Sequence, residues 1–113
     1  MDFQFIPEGT VQIPEITCED QVVLHPDNTA VIVVDMQNDF VKPEGSLVVQ
    51  AASETVPHIQ ALLASARAHG VRIAYTQDSQ VAYDPEFEIW PEHCRIGTWG
   101  WEIIEELAPQ SKD

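Results

Sequence analysis

Residues Thr29 to Phe40 read TAVIVVDMQNDF. The run Ala30 to Val34 is continuous and β-branched, the pattern of a strand covered on both faces in a parallel sheet rather than the alternation of a half-solvated strand. An acid, Asp35, follows directly, then the amide pair Gln37 and Asn38, then Asp39 and Phe40. Open α/β sheets hold their ligands outside the carboxyl ends of their strands, so a carboxylate at that exit is the first site candidate. Asp is also a frequent turn former, and a cap satisfying loop amides is the competing reading. An acid placed straight after buried aliphatics costs stability unless it serves a purpose, which favours function. Asp39 reads as a local hydrogen-bond acceptor.

The next segments repeat the α/β pattern. Lys42-Pro43-Glu44-Gly45 reads as a loop, and a helix is expected to begin near Ser53 or Thr55, either of which can cap it, with Pro57 in the first turns. Val56, Ile59, Leu63 and Ala66 fall on one face at helical spacing, and Gly70 is the stop. Val71 to Thr76 is a second β-branched and aromatic strand, which completes a βαβ unit with parallel strands. Gln77 to Thr98 is too long for an idle connection, and its Pro-anchored turns and Trp90 favour an ordered, functional loop. Ile103, Ile104 and Leu107 give the stripe of a short helix over Glu102 to Leu107. Before Thr29, Pro7, Pro14 and Pro26 interrupt short apolar alternations, which suits a peripheral extended arm over residues 1–28.

Two parallel strands make a poor free-standing sheet, since sheets commonly have about five or six strands. An open edge is expected, to be completed by further polypeptide or by a partner.

Composition narrows the partners. Five Lys plus Arg against 19 Asp plus Glu give a net charge of −14, a field that repels a phosphate backbone, so nucleic acid is not expected. No stretch approaches the roughly 20 apolar residues needed to cross a bilayer, and Met1 to Pro7 lacks a basic start, so a cytoplasmic protein without a membrane partner is expected. Cys18 and Cys94 are expected to be reduced.

The long loop holds the remaining chemistry. Gln77 and Asp78 follow the second strand, so Asp35 and Asp78 should share one rim. Asp78 and His93 are candidate ligands of a divalent metal such as zinc, with Gln80 a poor third; alternatively Asp78 or a backbone carbonyl holds the His93 ring and orders the loop. Cys94 beside His93 invites a nucleophile and base reading, but neighbours on an extended chain point apart, and a buried small hydrophobe is the better account. Phe40, Phe87 and Trp90 can stack on a flat ligand, Trp90 foremost. Trp99 and Trp101 read as packing residues, and His25, His58 and His69 as surface or cap residues.

Taken together, AVIVVDMQNDF, HGVRIAYTQDS and DPEFEIWPEHCRIGTWGWEIIEELAP resemble the isochorismatase-like cysteine hydrolases, the superfamily that includes nicotinamidases and N-carbamoylsarcosine amidases. The resemblance runs from about Thr29 to Pro109. It implies an α/β fold, part of a three-layer α/β/α sandwich on a mostly parallel sheet, usually in an oligomer. It also implies a trio of Asp, Lys and Cys that attacks the carbonyl of a small amide through the thiol. By that resemblance Asp35 is the catalytic Asp, Phe40 and Trp90 are substrate-pocket walls, and Asp78 and His93 match two of the three metal-binding side chains of nicotinamidases. Gln80 stands where their first His would be, so a metal-independent member with a non-nicotinamide substrate fits better. The family Lys and nucleophilic Cys lie on elements after Leu107 and match nothing here; Lys42, Lys112 and Cys94 do not take those roles. The expectation is the N-terminal half, residues 29–113, of such a hydrolase, acting with a complementing half or as a homo-oligomer. The alternative is a catalytically inactive subunit that binds or assembles through its open sheet edge.

Overall fold

Both strands form where β-branched residues are densest. In the computed structural model, which describes residues 9–113, β1 is Ala30–Val34 and β2 is Arg72–Thr76. They pair in parallel, Ala30 opposite Arg72 and Val34 opposite Thr76, so both chains leave the sheet at the same end. Between them run α1, Asn38–Val41, and α2, Ala52–Ala68.

The predicted face of α2 is the buried one. Leu63 and Ala66 are in the core with Val33, Val41, Ile73, Ile104 and Leu107, and Val56 and Ile59 pack against it. Each fully buried aliphatic of this kind contributes about 1.5–3 kcal/mol relative to exposure. At the C-terminus Gly70 takes φ +72°, and the His69 ring approaches the Ser65 carbonyl through Nδ1 at 2.8 Å. The start of the helix differs from expectation. It begins at Ala52, entered through Ala51 at φ +65°, and neither Ser53 nor Thr55 caps it. The Ala52 N–H donates to the Val49 carbonyl at 3.1 Å, so backbone closes the turn, and the Thr55 hydroxyl donates to the Ala52 carbonyl instead.

Three further expectations are corrected. β1 is covered on one face only: Val33 is 4% exposed, whereas Ile32 and Val34 are 60% and 61% exposed. The core side chains Val33 and Ile73 share a face with the half-buried Val31 and Tyr75, and the opposite face lies open among the described residues. Glu102 to Leu107 is not a continuous helix. Short 3-10 turns at Trp99–Trp101 and Glu105–Leu107 flank an antiparallel bridge between Gln37 and Ile103. The Ile104 N–H donates to the Met36 carbonyl at 3.0 Å and the Asn38 N–H to the Glu102 carbonyl at 2.9 Å, so a tertiary pairing takes the backbone groups a helix would use. Ile104 and Leu107 still reach the core, at 0% and 2% exposure.

Asp39 is the third correction, because it is more than a local acceptor. Its carboxylate takes the Cys94 N–H at 2.8 Å as well as the Ser46 N–H at 3.0 Å, and a Cβ on Gly100 would collide with it.

The expected arm over residues 1–28 lies in part outside the described residues. From Gly9 to His25 the chain forms no strand, Val11 and Ile13 being 78% and 81% exposed, before a 3-10 turn at Pro26–Asn28. Among the described residues no helix is long and apolar enough to cross a membrane.

Candidate active site

Parallel pairing places the residues after β1 and β2 on one rim. Asp35 leaves β1 in the left-handed region, φ +52°, a conformation that costs on the order of 1–3 kcal/mol and persists where its surroundings impose it. Here β2 imposes it. The Thr76 hydroxyl donates to Asp35 Oδ1 at 2.6 Å, and the Asp35 N–H donates to the Thr76 carbonyl at 3.2 Å. The carboxylate is thereby held half-exposed at the strand exit.

Beside it Gln37, fully buried, ties the rim together. Its Nε2 donates to the carbonyls of Asp78 and Trp101, both at 2.8 Å, and its Oε1 accepts the Asp78 N–H at 2.8 Å. Asn38 donates to the Trp99 carbonyl at 2.7 Å. Trp99 and Trp101 therefore act through their carbonyls as much as their rings; Trp99 is 49% exposed, and the Trp101 indole N–H donates to Ser79 Oγ. Sequence reasoning noticed the Gln37-Asn38 pair without assigning it this work.

A cavity of about 440 Å³ opens next to the rim, with Phe40, Leu47, Val48 and Val49 on one side and Asp78, Glu86, Trp90 and His93 on the other. Four of the five residues singled out from sequence, Phe40, Asp78, Trp90 and His93, thus converge on one cavity. Asp35 is not among its lining residues. His93 is 3% exposed, lies between the rings of Phe40 and Phe87 at 5.8 Å from each, and faces the Pro91 carbonyl through Nδ1 at 2.6 Å. A carbonyl only accepts, so Nδ1 carries a proton and Nε2 is the nitrogen turned to Asp78 Oδ2, 3.3 Å away. Glu86, which sequence reasoning did not single out, is brought to the cavity by the 3-10 turn Pro85–Glu88, where Asp84 accepts its N–H at 3.0 Å. The Asp84-Pro85 pair is the sequence signal for that turn.

The donors around Asp78 and His93 are already engaged with one another. Gln80 is buried, at 7% exposure, and its Nε2 donates to Asp78 Oδ1 and Glu86 Oε2, both at 2.9 Å. An amide N–H is not a metal ligand, and it sits where a third donor would be needed. Among the described residues no group of three His, Cys, Asp or Glu side chains is placed to hold an ion. This arrangement does not fit a divalent metal.

Cys94 is buried, at 0% exposure and φ +48°. Burial, reinforced by the charges of Asp78, Asp39 and Asp35, pushes its thiol up to about 12, so at neutral pH it is protonated and a poor nucleophile. Cys18 is exposed. Native protein titrated with a thiol reagent should therefore show one fast-reacting thiol, with the second released on denaturation. Rapid labelling of Cys94 in a Cys18→Ser variant would contradict this.

A parallel βαβ unit with an acid at one strand exit and an aromatic-walled cavity beside the next belongs to the α/β class of ligand-binding and catalytic domains. The isochorismatase domain model matches residues 29–113, and the chain belongs to the isochorismatase-like superfamily. It is similar to the ureidoacrylate amidohydrolase RutB of Agrobacterium fabrum, 32% identical over 119 aligned positions covering 81% of this chain and 52% of that protein. Among solved structures it is similar to N-carbamoylsarcosine amidase from Thermoplasma acidophilum (TM-score 0.65, 36% identity, 74% of this chain and 47% of that one). It is also similar to a pyrazinamidase of Pyrococcus horikoshii in complex with zinc (TM-score 0.62, 33% identity, 66% of this chain and 44% of that one). The likeness bears out the isochorismatase-like α/β fold and membership of a family of hydrolases. The chain spans about half the length of the curated relatives it matches.

Proposed function

We propose that residues 29–113 are the N-terminal half of a cysteine amidase acting on a C–N bond of a small amide, with Asp35 as its general base. The observation that carries this reading is the strained Asp35, fixed by Thr76 at a parallel strand exit, on the same rim as Asp78, which lines the cavity with Phe40 and Trp90. In the reaction Asp35 takes the proton of a cysteine thiol, and the thiolate attacks the amide carbonyl. The C–N bond breaks as that proton passes from Asp35 to the departing amine, and water hydrolyses the acyl-enzyme to the acid and the free thiol. The cysteine and the lysine that assists it come from polypeptide that completes the sheet. Phe40 and Trp90 hold the substrate by contact with its apolar or planar part. The enzyme is cytoplasmic, and a homo-oligomer or a complementing C-terminal half supplies what this chain lacks.

The second reading, an inactive binding or assembly subunit, is favoured by the open sheet face at Ile32 and Val34. The reading frame after Asp113 separates the two. A strand with Lys and a later Cys supports the amidase, and a stop with a stable folded product supports the subunit. By the first reading, the 113-residue chain assayed alone over a panel of amide and carbamoyl substrates releases no ammonia above the buffer rate, while the completed chain turns over with or without a chelator. Robust turnover by the chain alone, abolished by Cys94→Ser, would place the nucleophile elsewhere than proposed.

A further inference from the structure

We propose that Gln80 has taken the place of a metal ion, its buried carboxamide holding together two acids of the cavity wall, Asp78 and Glu86, as a permanent, metal-independent donor. The position is rigid before the side chain is considered. The Gln80 N–H donates to the Cys94 carbonyl and its carbonyl accepts the Ile96 N–H, both at 2.9 Å, in a parallel bridge with Arg95. From that fixed backbone the side chain reaches two acids, with Nε2 at 2.9 Å from both Asp78 Oδ1 and Glu86 Oε2.

The orientation of the amide follows from its partners. Turning it over would set Oε1 against two carboxylates and replace two charge-assisted hydrogen bonds with two repulsions. The same logic accounts for the acids. Asp78 has one oxygen on Gln80 and the other facing His93 Nε2 at 3.3 Å, and Glu86 has Oε2 on Gln80. One oxygen of each acid, Asp78 Oδ1 and Glu86 Oε2, is thus taken by the Gln80 N–H donor, and no buried side-chain nitrogen or oxygen among the described residues lacks a partner. An ion drawing on Asp78 Oδ1 and Glu86 Oε2 would have to displace Gln80 and break both of its carboxylate bonds, whereas a His at the same position would offer a lone pair as a third ligand beside Asp78 and His93. In a chain with 19 acidic residues, an amide N–H donor between two neighbouring carboxylates offsets part of their mutual repulsion. The inference concerns metal binding alone and stands or falls separately from amide turnover.

Zinc and manganese, each alone, are the probes, read by equilibrium dialysis against a competing chromophoric chelator and by the side-chain amide resonances of Gln80. Wild-type protein should retain no stoichiometric metal, and the Gln80 NH2 pair should stay in place as either ion is added. Gln80→His should retain one zinc per chain, bound at least about 100-fold more tightly than by the wild type, a scale that even outer-shell changes at metal sites reach. Adding Asp78→Asn to that variant should remove the gain. Stoichiometric zinc or manganese on the wild type, or saturable movement of the Gln80 amide pair on adding either, would overturn the proposal. So would a folded Gln80→His variant that binds zinc no better than the wild type. If Gln80→His does not fold, the wild-type dialysis and resonance measurements decide the matter by themselves.

Discussion

Asp35→Asn in the completed hydrolase lowers kcat/KM by about 10²–10⁴-fold, the usual contribution of a positioned general base, with KM little changed and the folded state intact. Asn is chosen because it preserves everything about Asp35 except its basicity. It tolerates the left-handed conformation at φ +52°, and its Oδ1 still accepts the Thr76 hydroxyl that reaches Asp35 at 2.6 Å. The side chain is half-exposed, so losing its charge leaves no buried group unpaired. A loss of rate with unchanged thermal stability therefore isolates the chemical role, and wild-type turnover by this variant would return Asp35 to the role of a turn former. Thr76→Val is the companion measurement. It removes the hydroxyl that positions the carboxylate, and a fall in kcat smaller than that of Asp35→Asn is expected, because a misdirected base is still a base.

Gln37→Leu destabilises the fold by about 2–4 kcal/mol, because two part-buried backbone groups lose their partner at about 1–2 kcal/mol each and the volume is repacked imperfectly. The orphaned groups are the N–H and carbonyl of Asp78. The Trp101 carbonyl keeps a second donor, the Gln77 side chain at 2.9 Å. Gln37→Glu has the same size and shape and should do no better, since one carboxylate oxygen would replace an NH2 that faces two carbonyls at 2.8 Å. Urea unfolding of the two variants measures this. If Gln37→Glu is as stable as the wild type, the donor role assigned to Nε2 is wrong.

The comparison of Gln37 with Asp35 shows where sequence reasoning stops. Asp35 was legible because its position relative to β1 is local: five residues of strand, then an acid, then a change of direction. The α2 face was legible for the same reason, since Val56, Ile59, Leu63 and Ala66 recur at the period of one helix. Gln37 is bonded to residues 41 and 64 positions away, and nothing in its neighbourhood encodes those distances. Asp39 behaved likewise. Read locally it is a turn acceptor, yet its carboxylate caps the Cys94 N–H across 55 positions and needs Gly100 for room. The Glu102 to Leu107 stripe had the right residues for the core but the wrong backbone, since Ile103 and Ile104 pair with the chain around Gln37 and Met36.

What the sequence determined by itself were the quantities set by neighbours in the chain. Helical and strand periods, the glycine stop after α2, the parallel sense of a strand-helix-strand unit and the charge of the surface all follow from steric and hydrophobic preferences that act within a few residues. The tertiary structure alone decided which buried polar group answers which. Gln37 could join the rims, Gln80 could draw Asp78 and Glu86 together, and Cys94 could be buried as a protonated thiol only once distant segments excluded water from them. The physical reason is that a polar group's worth depends on its burial and its partner, and both are properties of the folded chain.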